Sequence, residues 1–216
     1  MITLNLEQLC NNYTYLLVDA SAFFHRLSER VNFEDTEYKI ARNNLSSEIL
    51  SFWTEKIPSN PIYSTIEIKN EINHGDYKYG KSVKRNSGSK DRIVLDLRRS
   101  MKEVKVNTNR LVNTLEERER ILDLNNTQKQ LYNFLSDKYN PILYRNSKGD
   151  SDLLLSAGIL SQKHRVCIIS NDFGLLNNWK LFLYEEGIGR LRFNFYIHEE
   201  KDSFKEAVFN LNYRKN

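Results

Sequence analysis

The sequence predicts an α/β protein built on a central, mainly parallel sheet. Two apolar runs, "YLLV" at 15–18 and "RVCIIS" at 165–170, are typical of strands that are buried on both faces. Each run is followed by a segment with helical spacing, such as "FGLLNNWKLFLY" after the second one. Strands that alternate with helices predict a three-layer α/β/α sandwich, with helices on both faces of the sheet.

The other elements are predicted from apolar spacing and from the positions of proline and glycine. The stretch "HGDYKYGKSVKRNSGSKD" at 74–91 has little apolar content and several Gly and Ser residues, which predicts a loop. Pro141 is expected to end the helix before it, because proline inside a helix removes a hydrogen bond. The predicted elements, in order, are a strand at 14–19, helices at 20–30 and 42–56, a strand at 61–64 with a helix directly after it, helices at 91–105, 108–123 and 127–139, a buried helix at 152–160, a strand at 165–170, a helix from 173, and a strand at 191–198.

The length and composition are those of one folded domain outside the membrane. Of the 216 residues, 40% are hydrophobic and 28% are charged, which is ordinary for a globular protein. No apolar run approaches the roughly 20 residues that span a bilayer, and the first residues lack the pattern of a signal peptide. The chain as a whole, 1–216, is expected to form one domain with a basic loop and helices inserted at about 76–140.

The two cysteines have no metal-binding spacing, and Cys167 lies in an apolar run typical of a core strand. Unpaired cysteines of this kind are typical of a reducing compartment. We therefore expect an intracellular protein, cytoplasmic or, in a eukaryote, nuclear, with no membrane partner.

Positive charge is concentrated in one part of the chain. Between residues 78 and 110 there are eleven Lys and Arg side chains and three acidic ones, a net charge of +8, so the rest of the chain carries −4 of the total of +4. A basic block on an acidic body predicts a polyanion as partner, and the same charges also suit a solvated surface loop. The residues expected to contact nucleic acid are Lys81, Lys84, Arg85, Lys90, Arg92, Arg98 and Arg99.

Acidic residues follow the predicted strands where ligand sites form in parallel sheets. Asp19 ends the first strand, and Asp172 follows the strand at 165–170. Asp150 and Asp152 begin the buried helix, and Glu71 lies near the end of the helix after the second strand. An Asp in such a position also suits the role of helix cap, because its oxygens accept bonds from unpaired backbone amides. The carboxyl ends of parallel strands share one edge, so these acids are expected to meet there.

Carboxylates gathered at one edge repel one another unless a cation neutralises them. Oxygen-only ligands suit Mg²⁺ or Mn²⁺, and such ions activate water and hold the oxygens of a phosphodiester during its displacement. The sequence therefore predicts that Asp19, Asp150 and Asp172 bind Mg²⁺ or Mn²⁺, with Asp152 as a further candidate ligand. Glu71 is expected to complete the site, directly or through water.

Four stretches, taken in order, resemble the successive motifs of the PIN-domain nucleases: "LLVDASAFF", "IYSTIEIKNEI", "GDSDLLLSAGIL" and "VCIISNDFGLL". The likeness covers most of the chain outside 76–140. The helical insertion, followed by "SKGDSDLLLSA" and "NDFGLLNNW", is reminiscent of the small protein-only RNase P branch. The resemblance implies a single PIN-like domain over 1–216 and a three-layer α/β/α sandwich with a basic, helical insertion.

The resemblance also implies roles for individual residues. An Asp that ends the first strand, with Ser or Thr close behind, matches Asp19 and Ser21. A Ser/Thr-x-Asp after the next core strand matches Ser170, Asn171 and Asp172, in which the first two residues are expected to orient carboxylates or water. The catalytic acids so implied are Asp19, Glu71, Asp150 and Asp172.

The implied activity is that of a Mg²⁺- or Mn²⁺-dependent endoribonuclease, either an RNA-processing enzyme or a toxin. RNA is the expected partner and DNA a further option, and the protein partners to consider are a second copy of the chain, an inhibitor or an assembly protein. The alternative is a non-catalytic PIN-like module that binds RNA or protein in a larger assembly. Intact Asp19, Glu71, Asp150 and Asp172 favour the enzyme.

Two other α/β classes that handle phosphate fit the sequence less well. A phosphatase of the haloacid-dehalogenase type requires Asp-x-Asp after the first strand, where this chain has Asp19-Ala20-Ser21. A response-regulator receiver requires paired acids at the first strand and a phosphoacceptor Asp at a later one, and the single Asp19 and the late Asp172 do not fit that pattern.

Overall fold

A six-stranded sheet forms the centre of the protein. The computed structural model describes residues 3–24, 36–80, 92–143, 147–184, 193–200 and 203–206. The strands are β1 (Thr3–Asn5), β2 (Tyr15–Val18), β3 (Ile62–Tyr63), β4 (Val166–Ser170), β5 (Phe193–Glu200) and β6 (Ser203–Glu206). The helices are α1 (Leu6–Asn12), α2 (Ala20–Phe23), α3 (Thr36–Lys56), α4 (Ile66–Gly80), α5 (Arg92–Glu117), α6 (Asn126–Leu143), α7 (Lys148–Ser161) and α8 (Phe173–Tyr184).

Four neighbouring strands run parallel, in the order β5–β4–β2–β3, and β6 and β1 add antiparallel strands beyond β5. The predicted α/β class and mainly parallel sheet are confirmed. From β2 the chain continues towards β3 on one side, whereas from β4 it continues towards β5 on the other. The two connections therefore diverge at the carboxyl ends of β2 and β4, which is where open parallel sheets form a crevice.

The two central strands are buried because their side chains are apolar on both faces. Leu16, Leu17 and Val18 of β2 are inaccessible to solvent, and every residue of β4 is buried, including Cys167. Trp53 of α3 belongs to the same core, as its apolar surroundings in the sequence suggest, and its indole N–H donates to the Ala22 carbonyl at 2.9 Å.

Several predicted helix boundaries are wrong. α2 ends at Phe23 and not at residue 30, α3 begins at Thr36 and not at 42, α5 ends at Glu117 and not at 123, and α7 begins at Lys148 and not at 152. α4 continues to Gly80, into the stretch predicted to be a loop from residue 74. An internal glycine costs a helix only about 1 kcal/mol, and α4 packs against both α5 and α7. α6 continues through Pro141 to Leu143, although proline has no N–H to donate to the preceding turn.

α5 is one helix of 26 residues, although the sequence predicts two helices with a break near residue 107. The polar residues at the expected break face α3. Asn107 Nδ2 donates to Ser47 Oγ at 2.6 Å, and Asn43 Nδ2 donates to Ser100 Oγ at 3.1 Å. Because these buried polar groups satisfy one another, they can lie among the apolar residues of the buried face of α5 without breaking the helix.

The elements at the antiparallel side of the sheet were not predicted. β1 has three residues and β6 has four, too few to show an alternating pattern. α1 begins with a capping box, in which Asn5 Oδ1 accepts the Gln8 N–H and Gln8 Oε1 accepts the Asn5 N–H, both at 2.9 Å. None of the helices that the structure describes is long and apolar enough to cross a membrane.

Candidate active site

Asp19 lies at the carboxyl end of β2, between the diverging connections. Its backbone N–H extends the sheet by donating to the Ile169 carbonyl at 2.9 Å. Its side chain caps α2, since Oδ2 accepts the Ser21 N–H at 3.3 Å, and the residue is only 3% exposed. The cap and the acid at the sheet edge, which the sequence left as alternatives, are thus the same side chain.

Two buried hydroxyl groups hold the Asp19 carboxylate. Ser170 Oγ donates to Asp19 Oδ2 at 2.7 Å, and Ser21 Oγ donates to the same oxygen. Each hydroxyl also accepts a backbone N–H from the loop after β4, Ser21 from Asn171 and Ser170 from Asp172, both at 2.9 Å. A hydroxyl has one proton and two acceptor positions, so accepting these amides leaves its proton for Asp19. The β4–α8 loop is therefore tied to the carboxylate of β2.

Asp172 stands at the start of α8 and is half-buried. Its Oδ1 accepts the Gly174 N–H at 2.7 Å, and its carbonyl accepts the Leu176 N–H at 3.2 Å. Asp172 is therefore a helix cap as well as an acid at the sheet edge. Its backbone N–H, through Ser170, contributes to the network that fixes Asp19.

Glu71 and Asp150 are brought together by the packing of α4 against α7. The Gly149 N–H donates to Glu71 Oε1 at 3.1 Å. A β-carbon at Gly149 would lie 2.5 Å from Glu71 Oε1 and 2.8 Å from Ile68 Cδ1, so this approach requires glycine. Ser147 caps α7, and its Oγ accepts the Asp150 N–H at 3.0 Å. Sequence reasoning did not single out Gly149, for which the available signal was a glycine directly before an acid at a helix start.

The three other acids lie close enough to Asp150 to affect its ionisation. Burial raises the pKa of Asp150 from 3.8 to about 7, and the negative charges of Asp19, Asp172 and Glu71 add to the increase, in that order. A hydrogen bond from the Ser147 backbone opposes it. The structure thus brings Asp19, Glu71, Asp150 and Asp172 together at the edge where the sequence predicts them to meet.

Asp152 lies on another side of α7, because residues two apart on a helix differ by about 200°. It is not among the charges that raise the pKa of Asp150. Its Oδ2 accepts a long hydrogen bond from the Glu67 N–H at 3.5 Å, and the side chain is hydrogen-bonded to Tyr132. The structure therefore separates Asp152 from the other four acids, and metal binding by Asp152 stays a prediction.

The four gathered acids do not form a finished coordination shell. Across the part of the chain that the structure describes, no three carboxylate, imidazole or thiol groups are near enough to one another to hold a metal ion as they stand. The donor set nevertheless fits a hard divalent cation, since all of its atoms are oxygens. Asn171 Oδ1, next to Asp172, is buried with no hydrogen-bond partner among the described residues, which leaves one more oxygen for an ion or its water.

The basic residues predicted to contact nucleic acid are only partly described. Arg92, Arg98 and Arg99 are exposed on α5. Arg99 also lines a groove of about 790 Å³ between α3 and α5, where the other charged side chains are acidic. The residues that lie outside the described ranges are Lys81, Lys84, Arg85 and Lys90.

Comparison of the chain with protein-family models, with curated proteins and with solved structures found no match. The interpretation of this site therefore depends on its own residues and their geometry.

Proposed function

We propose that this protein is a metal-dependent endoribonuclease that hydrolyses phosphodiester bonds of RNA at the carboxyl edge of β2 and β4. The observation that carries the proposal is geometric: Ser170 and the loop that leads to Asp172 hold the Asp19 carboxylate, and the Gly149 N–H, next to Asp150, donates to Glu71. A helix cap needs one carboxylate, whereas four together raise the free energy of the metal-free protein through like-charge repulsion. An arrangement that is unfavourable without a cation is the one expected of a cation site.

A PIN-type three-layer sandwich belongs to the same proposal. The connection from β2 to β3 moves to one side of the sheet, and those from β3 to β4 and from β4 to β5 move to the other. Because crossover connections between parallel strands are right-handed, the two groups of helices are assigned to opposite faces. The order of the four acids along the chain, which matches the PIN motifs, also supports it.

The roles of the acids follow from how firmly each is held. Asp19 is fixed by Ser21 and Ser170 and needs no rearrangement to act as a ligand. Asp150 and Asp172 are half-buried and are the further candidate ligands, with Glu71 completing the set directly or through water. When bound, Mg²⁺ or Mn²⁺ supplies a water of lowered pKa and offsets charge on the scissile phosphate.

Substrate binding is assigned to the basic segment, of which Arg92, Arg98 and Arg99 lie exposed on α5. Phosphate contacts from such side chains supply most of the affinity for RNA without selecting a sequence. The two cysteines of the chain are not joined to each other, which fits an intracellular, cytoplasmic or nuclear, setting.

The test is cleavage of labelled single-stranded and structured RNA by the purified protein in Mn²⁺, in Mg²⁺ and in EDTA. We expect cleavage only with an ion, and a loss of orders of magnitude in Asp172→Asn, which keeps the shape of the side chain and removes its charge. Asp137→Asn, the same change at an exposed position of α6, is the matched control and should cut like the wild type.

Equal rates in EDTA, or normal cleavage by Asp172→Asn, would show that these acids are caps and that the site lies elsewhere. A wild-type protein that binds RNA and cuts it with neither ion would instead favour the non-catalytic binding module.

A further inference from the structure

A second cavity opens at the same edge of the sheet, one strand away from Asp19. Because Leu17 of β2 pairs with Tyr63 of β3, Asp19 and Thr65 follow neighbouring strands at the same level. Thr65 lines this cavity, which lies among the first turn of α4, the helices α6 and α7, and residues 121–124. Its volume of about 620 Å³ is within the range of small-molecule sites.

The lining combines apolar side chains with acidic groups. Ile66, Leu122 and Leu124 supply apolar surface, and Ile66 is 46% exposed. Asp152 lies in the lining and is only 8% exposed. The lining cation, Lys129, is ion-paired with Asp123 at 2.8 Å. Because hydrogen-bond acceptors outnumber free donors in the lining, a molecule that binds in this cavity must supply hydrogen-bond donors and must not be negatively charged there.

Asp152 has acceptor capacity beyond its contacts in the protein. A carboxylate offers about four lone-pair positions, and Asp152 accepts a long bond from the Glu67 N–H and one from the Tyr132 hydroxyl. A phenol is protonated at neutral pH, so the Tyr132 hydroxyl has a proton to donate to the carboxylate. These two donors fix the carboxylate and leave room for further donors.

We propose that this cavity binds a guanine base, with the carboxylate of Asp152 accepting the two adjacent N–H groups of its Watson–Crick edge. Guanine carries a ring N–H beside an amino group at that edge, which matches the two oxygens of a carboxylate. Adenine and cytosine present an amino group beside an acceptor, and uracil a single N–H between two acceptors, so each would turn a lone pair towards Asp152. Tyr132 and Ile66 provide surface against which a flat base can pack.

The inference rests on the proposed nuclease function and adds a base preference to it. Glu67, at the cavity, and Glu71, among the four acids, are four residues apart on α4, about 6 Å along the helix. The cavity is therefore within reach of a base next to the phosphate that is cut.

Binding tests the pocket independently of cleavage. The metal-free wild type is titrated in EDTA with guanosine, adenosine, cytidine and uridine, followed by calorimetry or NMR. We expect guanosine to bind at least about tenfold more tightly than the others, the discrimination typical of a good bidentate contact. Asp152→Asn should lose that preference, because one oxygen is replaced by an amide donor, and Asp137→Asn is the control that should keep it.

Asp152 also accepts an amide of α4, so its replacement by Asn risks disturbing the fold. Ile66→Trp is the second variant, since it fills the mouth of the cavity and leaves the carboxylate in place. It should abolish guanosine binding. Equal binding of the four nucleosides by the wild type, or a guanosine preference that survives both variants, overturns the inference.

Cleavage separates this inference from the proposed function. Cuts beside G that become uniform in Asp152→Asn support it, whereas loss of all cutting together with weaker Mn²⁺ binding makes Asp152 a metal ligand and overturns it. A wild type that selects guanosine and cuts no RNA keeps the pocket and removes the nuclease proposal. A wild type that cuts RNA but binds the nucleosides equally keeps the nuclease proposal and removes the guanine pocket.

Discussion

The two ends of the central parallel strands differ in how their side chains affect the stability of the fold. At the amino end, the ring of Tyr15 lies 5.0 Å from that of Tyr63 and 5.2 Å from that of His164, and the Arg165 guanidinium lies 5.7 Å from the ring of Tyr13. Such aromatic and cation–π contacts lower the free energy of the fold. At the carboxyl end, by contrast, the negative charges of Asp19, Asp172 and Glu71 raise the pKa of Asp150 and so disfavour its ionised form.

The contacts at the amino end are explained by their contribution to the stability of the fold, whereas the grouping of acids at the carboxyl end is not. Sequences are expected to be locally consistent with their fold, and departures from that consistency concentrate at functional sites. The amino end is consistent in this sense. The carboxyl end is a departure, in which Ser21, Ser170 and Gly149 hold the acids in place.

The largest expected effect comes from removing one group at each end. Asp19→Asn should lose orders of magnitude of cleavage activity and stay within about 1 kcal/mol of the wild type in unfolding free energy, since the weakened bonds from Ser21 and Ser170 offset the relief of repulsion. Tyr15→Ala should do the opposite and cost about 2 to 3 kcal/mol with activity kept below its melting temperature. Urea unfolding and RNA cleavage measure both quantities. A Tyr15→Ala protein that is inactive while folded would contradict the comparison.

The next effect is a pH dependence that belongs to the carboxyl end alone. The folded pKa of Asp150, about 7, lies above its ordinary value of 3.8, so the folded chain binds more protons than the unfolded chain between these values. The unfolding free energy of the metal-free protein should therefore fall as the pH rises from about 4 to about 7, by on the order of 2 kcal/mol after allowing for contact with solvent.

Asp150→Asn should remove this dependence and be more stable than the wild type above about pH 7, measured by urea unfolding in EDTA at about pH 5 and about pH 8. Asp137→Asn, the exposed control on α6, should retain the wild-type slope. A slope that is unchanged in Asp150→Asn would mean that other groups titrate and that the acids do not interact as described.

The sequence was informative where one residue type decides the structure. The apolar runs of β2 and β4 predict buried strands, and an acid directly after each, Asp19 and Asp172, predicts a shared edge. It was not informative where a partner far along the chain decides. From the sequence alone, Asn107 indicates a break in the helix. In the structure its side-chain N–H donates to Ser47 of α3, and the helix continues.

The sequence also did not show which side of α7 faces the other acids. Asp150 and Asp152 are indistinguishable as acids at the start of a buried helix. The rotation of about 200° between them sends one towards Asp19 and the other towards Tyr132. Which of the two faces Asp19 depends on how α7 packs against α4, where Gly149 contacts Glu71, a residue 78 positions away that no local pattern indicates.

The smallest expected effect tests that contact. Gly149→Ala places a methyl group against Glu71 Oε1 and Ile68 Cδ1, so α4 and α7 must separate slightly or Glu71 must rotate away. Overpacking of this kind costs about 1 to 3 kcal/mol, and the better helix propensity of alanine returns up to about 1 kcal/mol, which leaves a net loss of about 1 kcal/mol.

Gly149→Ala should also weaken the pH dependence that Asp150 causes, because the charge of Glu71 moves away, although Glu71 is the last of the three charges in size. Shortening the facing side chain makes room for the methyl group, so Gly149→Ala with Glu71→Asp should be more stable than the sum of the two single changes. The double-mutant cycle, measured by urea unfolding, isolates this coupling. Strict additivity would mean that residues 149 and 71 do not touch, and the convergence of α4 and α7 at the carboxyl end would then need another cause.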